Sequence, residues 1–307
     1  KLWRVVRTEL AEIAQNHGDK RRTAIKMAGA TEVLEVTEED LLVEEDQYVI
    51  LTTGGWLKRV GSISTIDKIP VKQGDQVLAI TAGSTKATVV FFSNLGAAYT
   101  ARIVNIPASR GHGEPIQKLF RFKDGERVVT MISLDERMIG DIKANPKKPD
   151  LCPPIHALAV TTNGYGLRFG LESFIEPSTK VGRKFARLTK DAEVLTVLPI
   201  NASELLVCVS EWAHALICRV DEVNYLEGPG KGVYVIKVAF GDRVLGVCAT
   251  EKEHEGLTAV TAAGGSHNIN ARRYRVTSRG GKGHQIVRRG QITEVTRPDI
   301  KIPNLEK

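Results

Sequence analysis

The chain has 307 residues, 42% of them hydrophobic, which is enough for a sizeable core and for either two domains or one large β architecture. Lysine and arginine (43) outnumber aspartate and glutamate (36), giving a net charge of +7 that favours polyanionic partners, while an aromatic content of only 6% argues against a stacking-rich single-strand binder. No apolar run reaches membrane-spanning length and the first residues lack the apolar core of a signal peptide, so no membrane partner and a cytoplasmic, nucleoid-associated location are expected.

Residues 1–30 read as the end of a helical segment. Leu2, Val6, Leu10 and Ile13 share one face, and Gly18 is placed to stop the helix. The chain starts inside this helix without an initiator Met, so it is expected to be a piece of a longer polypeptide. Residues 31–46 are acidic, with Val33, Leu34, Leu41, Leu42 and Val43 interspersed. A solvated linker with an edge strand accounts for them; an acidic segment that competes with DNA for a basic face is the functional alternative. Cys152, Cys208, Cys218 and Cys248 form no CxxC pair and have no histidine at metal-ligand spacing, which predicts no metal site; Cys208, Cys218 and Cys248 lie in apolar runs and are expected to be buried thiols.

From Gln47 to Thr296 the chain repeats itself in five units of three or four strands. The first strands read 48–52, 89–93, 157–161, 206–210 and 257–261, each apolar and ending in Thr or Ser. Turns follow at Gly54-Gly55, Asn94-Leu95-Gly96, Asn163-Gly164 and Gly264-Gly265; the fourth unit has Glu211-Trp212 where glycine is expected. Second strands carry Lys58, Arg59, Arg102, Arg168, Arg219, Arg272 and Arg273. A closing strand follows Gly74-Asp75 and its counterparts. Such units bury too little alone, so radial packing of blades is predicted: an all-β, propeller-like domain over 47–296, then a tail over 297–307. Residues 135–154 have no counterpart in the other units and read as an inserted surface loop.

The loops after the second strands carry Arg110, then Lys180, Arg183 and Lys184, then Lys231, then Arg279-Gly280-Gly281-Lys282-Gly283. Glycine beside a cation lets backbone approach a phosphate and exposes its N–H groups. The fifth unit is the most polarised. Between Gly256 and Thr293 there is no acid, against Arg272, Arg273, Arg275, Arg279, Lys282, Arg288 and Arg289. These residues, with Lys58, Arg59 and Arg102, form the predicted DNA-contacting set. Lone arginines such as Arg168 and Arg219 suit a structural role equally well.

These features resemble the C-terminal region of the A subunit of bacterial type IIA topoisomerases, DNA gyrase or topoisomerase IV, over nearly the whole chain. Residues 2–25 are similar to the end of that family's coiled-coil segment, 44–60 to its entry into the first blade, and Arg279-Gly280-Gly281-Lys282-Gly283 to the core of its glycine-rich basic box. The resemblance implies a β-pinwheel with strands exchanged between blades, which bends duplex DNA around a basic rim. It also implies two protein partners, the ATPase B subunit of a heterotetramer and the upstream part of the A subunit, with ATP and Mg²⁺ bound elsewhere and no cofactor here. The family's Arg-Tyr active-site pair has no match, so the chain is expected to be non-catalytic. The first unit lacks the box, and five units are counted where gyrase usually has six; both lean toward topoisomerase IV. A protein-interaction propeller fits the repetition as well, and the basic glycine-rich loops are what discriminate against it.

Overall fold

A computed structural model describes residues 1–18, 43–144, 152–296 and 300–305. The chain divides into two units, 1–41 and 42–307. In the first, the helix Leu2–His17 has no buried residue. Gly18 ends it in an extended conformation (φ −70°) rather than the left-handed one expected of a C-terminal glycine. The predicted connection and acidic stretch over 19–42 lie outside the described residues.

The second unit consists of five antiparallel sheets. In each, the first strand is central: Asp46–Thr52, Thr88–Ser93, His156–Thr161, Leu205–Ser210 and Gly256–Thr261. These strands end on the residues expected from the sequence and begin one or two residues earlier. The second strands, Trp56–Val60, Ala97–Arg102, Tyr165–Phe169, His214–Arg219 and Ser266–Asn270, pair on one side of them. The third strands, Val77–Ser84, Val128–Ser133, Val194–Ile200, Val244–Thr250 and Ile292–Thr296, pair on the other. Third strands of successive sheets lie beside one another, so they form the inner side of the blades.

The apolar runs of the first strands follow from burial on both faces. In Thr88–Ser93, Val89 and Phe91 point into the core shared with the first sheet, and Val90 and Phe92 into the core shared with the third. Phe92 meets Phe185 edge-on at 5.0 Å and Phe169 at 5.8 Å. The fourth sheet alternates in the same way, Leu206 and Cys208 to one side, Val207 and Val209 to the other. Cys208, Cys218 and Cys248 are buried free thiols. Gly256–Thr261 packs only one face, through Leu257 and Ala259, and its sequence alternates accordingly.

The outer strand of each of the first four sheets comes from the next unit's long loop: Glu114–Pro115, Arg183–Lys184, Val233–Tyr234 and His284–Gln285. The fifth sheet has three strands among the described residues, and residues 61–76 of the first unit supply none. Each donated strand is preceded by a glycine with positive φ: Gly113 (84°), Gly182 (72°), Gly232 (75°) and Gly283 (81°). Here the loop crosses the neighbour's second strand. A Cβ at Gly113 would lie 2.5 Å from the Leu57 carbonyl oxygen, and one at Gly283 2.5 Å from that of Ala215. In the fourth unit, Ala213 takes the left-handed hairpin position (φ 58°) that Gly55, Gly96, Gly164 and Gly264 fill elsewhere.

Residues 135–144 are not a surface insertion. Asp135 is buried, accepts from the Ser84 N–H at 2.8 Å and caps the short helix Glu136–Ile139. Ile142 is buried in the core between the second and third sheets. The segment spaces two blades, and the apolar anchor explains why it is not a solvated loop. Residues 145–151 lie outside the described ones. Behind this junction His156 is 1% exposed. Its Nδ1 donates to the Pro153 carbonyl at 3.0 Å, leaving Nε2 to accept from the Arg168 guanidinium at 3.4 Å. Burial, with Arg168 adding to it, pushes the imidazole down to about 4.

This packing makes two effects measurable. Gly283→Ala forces a Cβ into backbone at a left-handed position and should cost about 3 kcal/mol or more, whereas Gly281→Ala, with ordinary contact at 3.5 Å, should be nearly neutral; chemical denaturation separates them. For His156 the unfolded state binds the proton more readily, so stability is intact above about pH 6.5 and declines as pH falls toward about 4, by about 3 kcal/mol in total. His156→Gln should flatten that window in melts taken between these pH values; an unchanged slope would contradict the assignment.

Candidate nucleic-acid interface

The donated strands are the outermost strands, so the loops that carry them line the outer rim. After each donated strand the chain returns past the next blade's loop and bonds to it. The Arg121 N–H donates to the Lys180 carbonyl at 2.7 Å, Arg187 to Gly230 at 2.8 Å and Lys237 to Gly281 at 2.8 Å. Isolated bridges pair Ala186 with Gly230 and Ile236 with Gly281. Each contact sets two cations next to one another along the rim: Arg121 by Lys180, Arg187 by Lys231, and Lys237 by Lys282. All six are exposed, and none makes an ion pair among the described residues. Lys231 Nζ sits 4.3 Å over the Tyr165 ring, which stacks on Tyr234 at 4.0 Å between centroids. That holds the ammonium on the rim without neutralising it.

Arg121, Arg187 and Lys237 were absent from the set predicted from sequence. Their signal is a cation a few residues after the end of each donated strand, and it becomes visible only once those strands are known. Of the predicted set, Arg110, Lys180, Arg183, Lys184, Lys231 and Lys282 lie exposed in the rim loops, with Arg183 bonded to the Ser173 carbonyl. Arg272, Arg273, Arg275, Arg288 and Arg289 are exposed on the fifth blade. Arg102 is half-buried at the end of its strand.

Four predicted contacts need correction. Lys58 is 2% exposed, and its Nζ donates to the Pro70 and Gly111 carbonyls at 2.8 and 2.6 Å. Arg59 is half-buried with Nε on the Ile106 carbonyl at 2.8 Å. Arg279 is half-buried, its Nε 2.7 Å from the Glu222 carbonyl and its backbone N–H 3.0 Å from the Glu222 carboxylate. These cations satisfy carbonyls of the loop beside them. Gly283 is required by the loop's crossing of the neighbouring strand. Gly280 (φ 79°) and Gly281 remain on the half-exposed or exposed surface of that loop. Arg168 and Arg219 are likewise structural: Arg168 is 8% exposed, and Arg219 pairs with Asp221 at 3.2 Å. No group of His, Cys, Asp and Glu among the described residues could hold a metal ion.

The family described as DNA gyrase C-terminal domain, beta-propeller, matches residues 87–135 and 156–201. The two matched stretches fall on the second and third blades. The chain is 27% identical to the A subunit of DNA gyrase from Staphylococcus epidermidis over 95% of its length and 32% of the relative. It is 26% identical to the A subunit of DNA gyrase from Mycobacterium tuberculosis over 94% of its length and 40% of the relative. The chain thus spans about a third of the length of the curated relatives it matches. The fold is shared with a solved C-terminal domain of DNA topoisomerase IV, at 20% identity, a TM-score of 0.71, and coverage of 83% of this chain and 78% of the other. It is also shared with the E. coli ParC C-terminal domain, at 20% identity, a TM-score of 0.65, and coverage of 82% and 98%. No described helix is long and apolar enough to cross a membrane.

The rim geometry separates two kinds of cation that look alike in sequence. Replacing Arg187 and Lys237 together by Ala should leave the melting temperature unchanged, weaken duplex binding about tenfold and reduce the salt slope by about 1.8. Arg279→Ala should instead lower the melting temperature, because it leaves the Glu222 carbonyl without its donor. Calorimetry and a salt-dependent anisotropy titration read both.

Proposed function

We propose that this domain binds duplex DNA through its phosphate backbone and bends it along the rim, presenting the curved duplex to the strand-passage core of a bacterial type IIA topoisomerase. The observation that carries the reading is the row of unneutralised cation pairs at three successive blade junctions, Arg121 with Lys180, Arg187 with Lys231 and Lys237 with Lys282. The row continues into the fifth blade through Arg288 and Arg289, where no acid lies between Gly256 and Thr293. A straight duplex cannot touch all these junctions at once. Bending 20–30 base pairs by 40–90° costs on the order of 1–6 kcal/mol, and phosphate contacts at each further junction offset that. The loops offer cations and backbone, with few aromatics for splayed bases, which favours duplex over single strands.

The wrap is partial and topoisomerase IV-like. The first unit has no basic box, donates no strand from residues 61–76 and has turned its Lys58 inward. The rim therefore weakens toward that blade. In this reading the protein partners are the upstream A-subunit region and an ATPase B subunit; ATP and Mg²⁺ act there, this domain holds no cofactor, and the enzyme works in the cytoplasm on the nucleoid.

The test is a length series of duplexes labelled at both ends. Affinity should rise from about 15 to about 40 base pairs, with energy transfer reporting a shortened end-to-end distance for the longer ones. Affinity that saturates on the shortest duplex, with no shortening of longer DNA, would leave only tethering. In the full enzyme, removing this domain should impair relaxation and decatenation rather than abolish a gyrase-type negative supercoiling.

A further inference from the structure

Lys58 is a buried cation at a place where the next three blades carry none. At the equivalent position of the next three blades, beside the crossing glycine, stand Tyr99, Leu167 and Leu216. An uncharged side chain fills that space in each. In the first blade an ammonium is buried at 2% exposure with no carboxylate in ion-pair range among the described residues, and burial alone lowers its pKa. Taking a charge out of water without a counter-ion is costly. Two of its three protons go to the Pro70 and Gly111 carbonyls. The third has no protein acceptor among the described residues.

Lys58 lines an open cavity of about 760 Å³ between residues 61–70 of the first unit and the loop of the second. Arg59, Lys68 and Arg110 also face it, together with hydroxyls of Ser62, Ser64, Thr65 and Ser109, and no carboxylate contributes to the lining. Arg59 spends only Nε on the Ile106 carbonyl. Ile50, Ile63 and Ile69 also contribute to the lining. The volume is that of a small-molecule site. Three cations and several hydroxyls around a buried ammonium that lacks a counter-ion match a phosphate group, and the isoleucines match a ring or base attached to it.

We propose that this cavity is a binding site for a phosphate-bearing group of mononucleotide size, with Lys58 at its base and Arg59, Lys68 and Arg110 around the mouth. The ligand is a free phosphorylated small molecule, distinct from the backbone of the duplex that the rim holds.

Calorimetric titration of the whole 307-residue chain with pyrophosphate, with 5′-AMP and with a duplex tests the site. Two variants accompany the wild type: Lys58→Met, which resembles the other blades, and Lys68→Ala/Arg110→Ala, which changes only exposed side chains and so stands if the first variant fails to fold. Saturable binding of pyrophosphate or 5′-AMP, weakened about tenfold in either variant, supports the site with a free ligand. Silence toward both small anions would overturn the proposal, including where either variant weakens duplex binding, since Arg110 also lies in the rim loops. Small anions bound equally by wild type and variants, or no binding change in any arm, would also overturn it. The rim reading is untouched by these negative results, since it rests on Arg187, Lys237 and their neighbours.

Discussion

The crossing of each long loop over its neighbour's second strand is the constraint on which the rest of this domain depends. The loop must pass so close to a carbonyl that only glycine fits, at Gly113, Gly182, Gly232 and Gly283, and only with positive φ. Beyond the crossing, two residues pair as the neighbour's outer strand, and the next apolar residue, such as Ile116, Phe185 or Val235, is buried against that blade. Each blade is therefore completed by the one after it. The unit of stability is the junction between blades, where the four hydrophobic cores lie, and a single blade is not one.

The same crossing distributes charge. Because the loop's path is fixed by the crossing, cations before and after the donated strand reach different surroundings. Those near the loop's approach, Arg59, Arg168 and Arg279, meet carbonyls of the adjoining loop and are consumed as clamps. Those beside the crossing and just after the strand, such as Lys231, Lys282, Arg187 and Lys237, are left on the outer edge facing solvent. Backbone bonds from one loop to the next then bring the second group together in pairs. A rim of this kind acts by Coulomb attraction and counter-ion release, which needs no base readout and suits a partner whose sequence varies.

The two ends of the array depart from the middle in opposite ways. The fifth sheet lacks a fourth strand among the described residues, packs one face only and carries the highest density of cations. The first sheet has its outer strand but donates none, and its lysine faces a cavity rather than the rim. Functional polarity along the blade row arises from these ends, since the central junctions repeat one design.

Much of this was legible in the sequence. The five first strands, their hairpin turns and the closing strands follow from apolar runs buried on both faces and from turn residues at fixed offsets, signals that are local in the chain. The polarisation of the fifth unit is a matter of counting charges, and it needs no coordinates. The donated strands were not readable from composition: two residues such as Glu114–Pro115 or Val233–Tyr234 become a strand only because another blade offers an open edge. For the same reason Arg187 and Lys237 escaped notice, while Lys58, Arg59 and Arg279 were over-read as rim contacts. Residues 135–154 read from composition as a surface loop, but Ile142 anchors the start of the stretch in the core. Sequence determined which segments form blades and how much charge the loops carry. Tertiary structure alone decided which cations face water and which face a carbonyl, because that depends on the neighbouring blade's backbone, some fifty residues away in the chain.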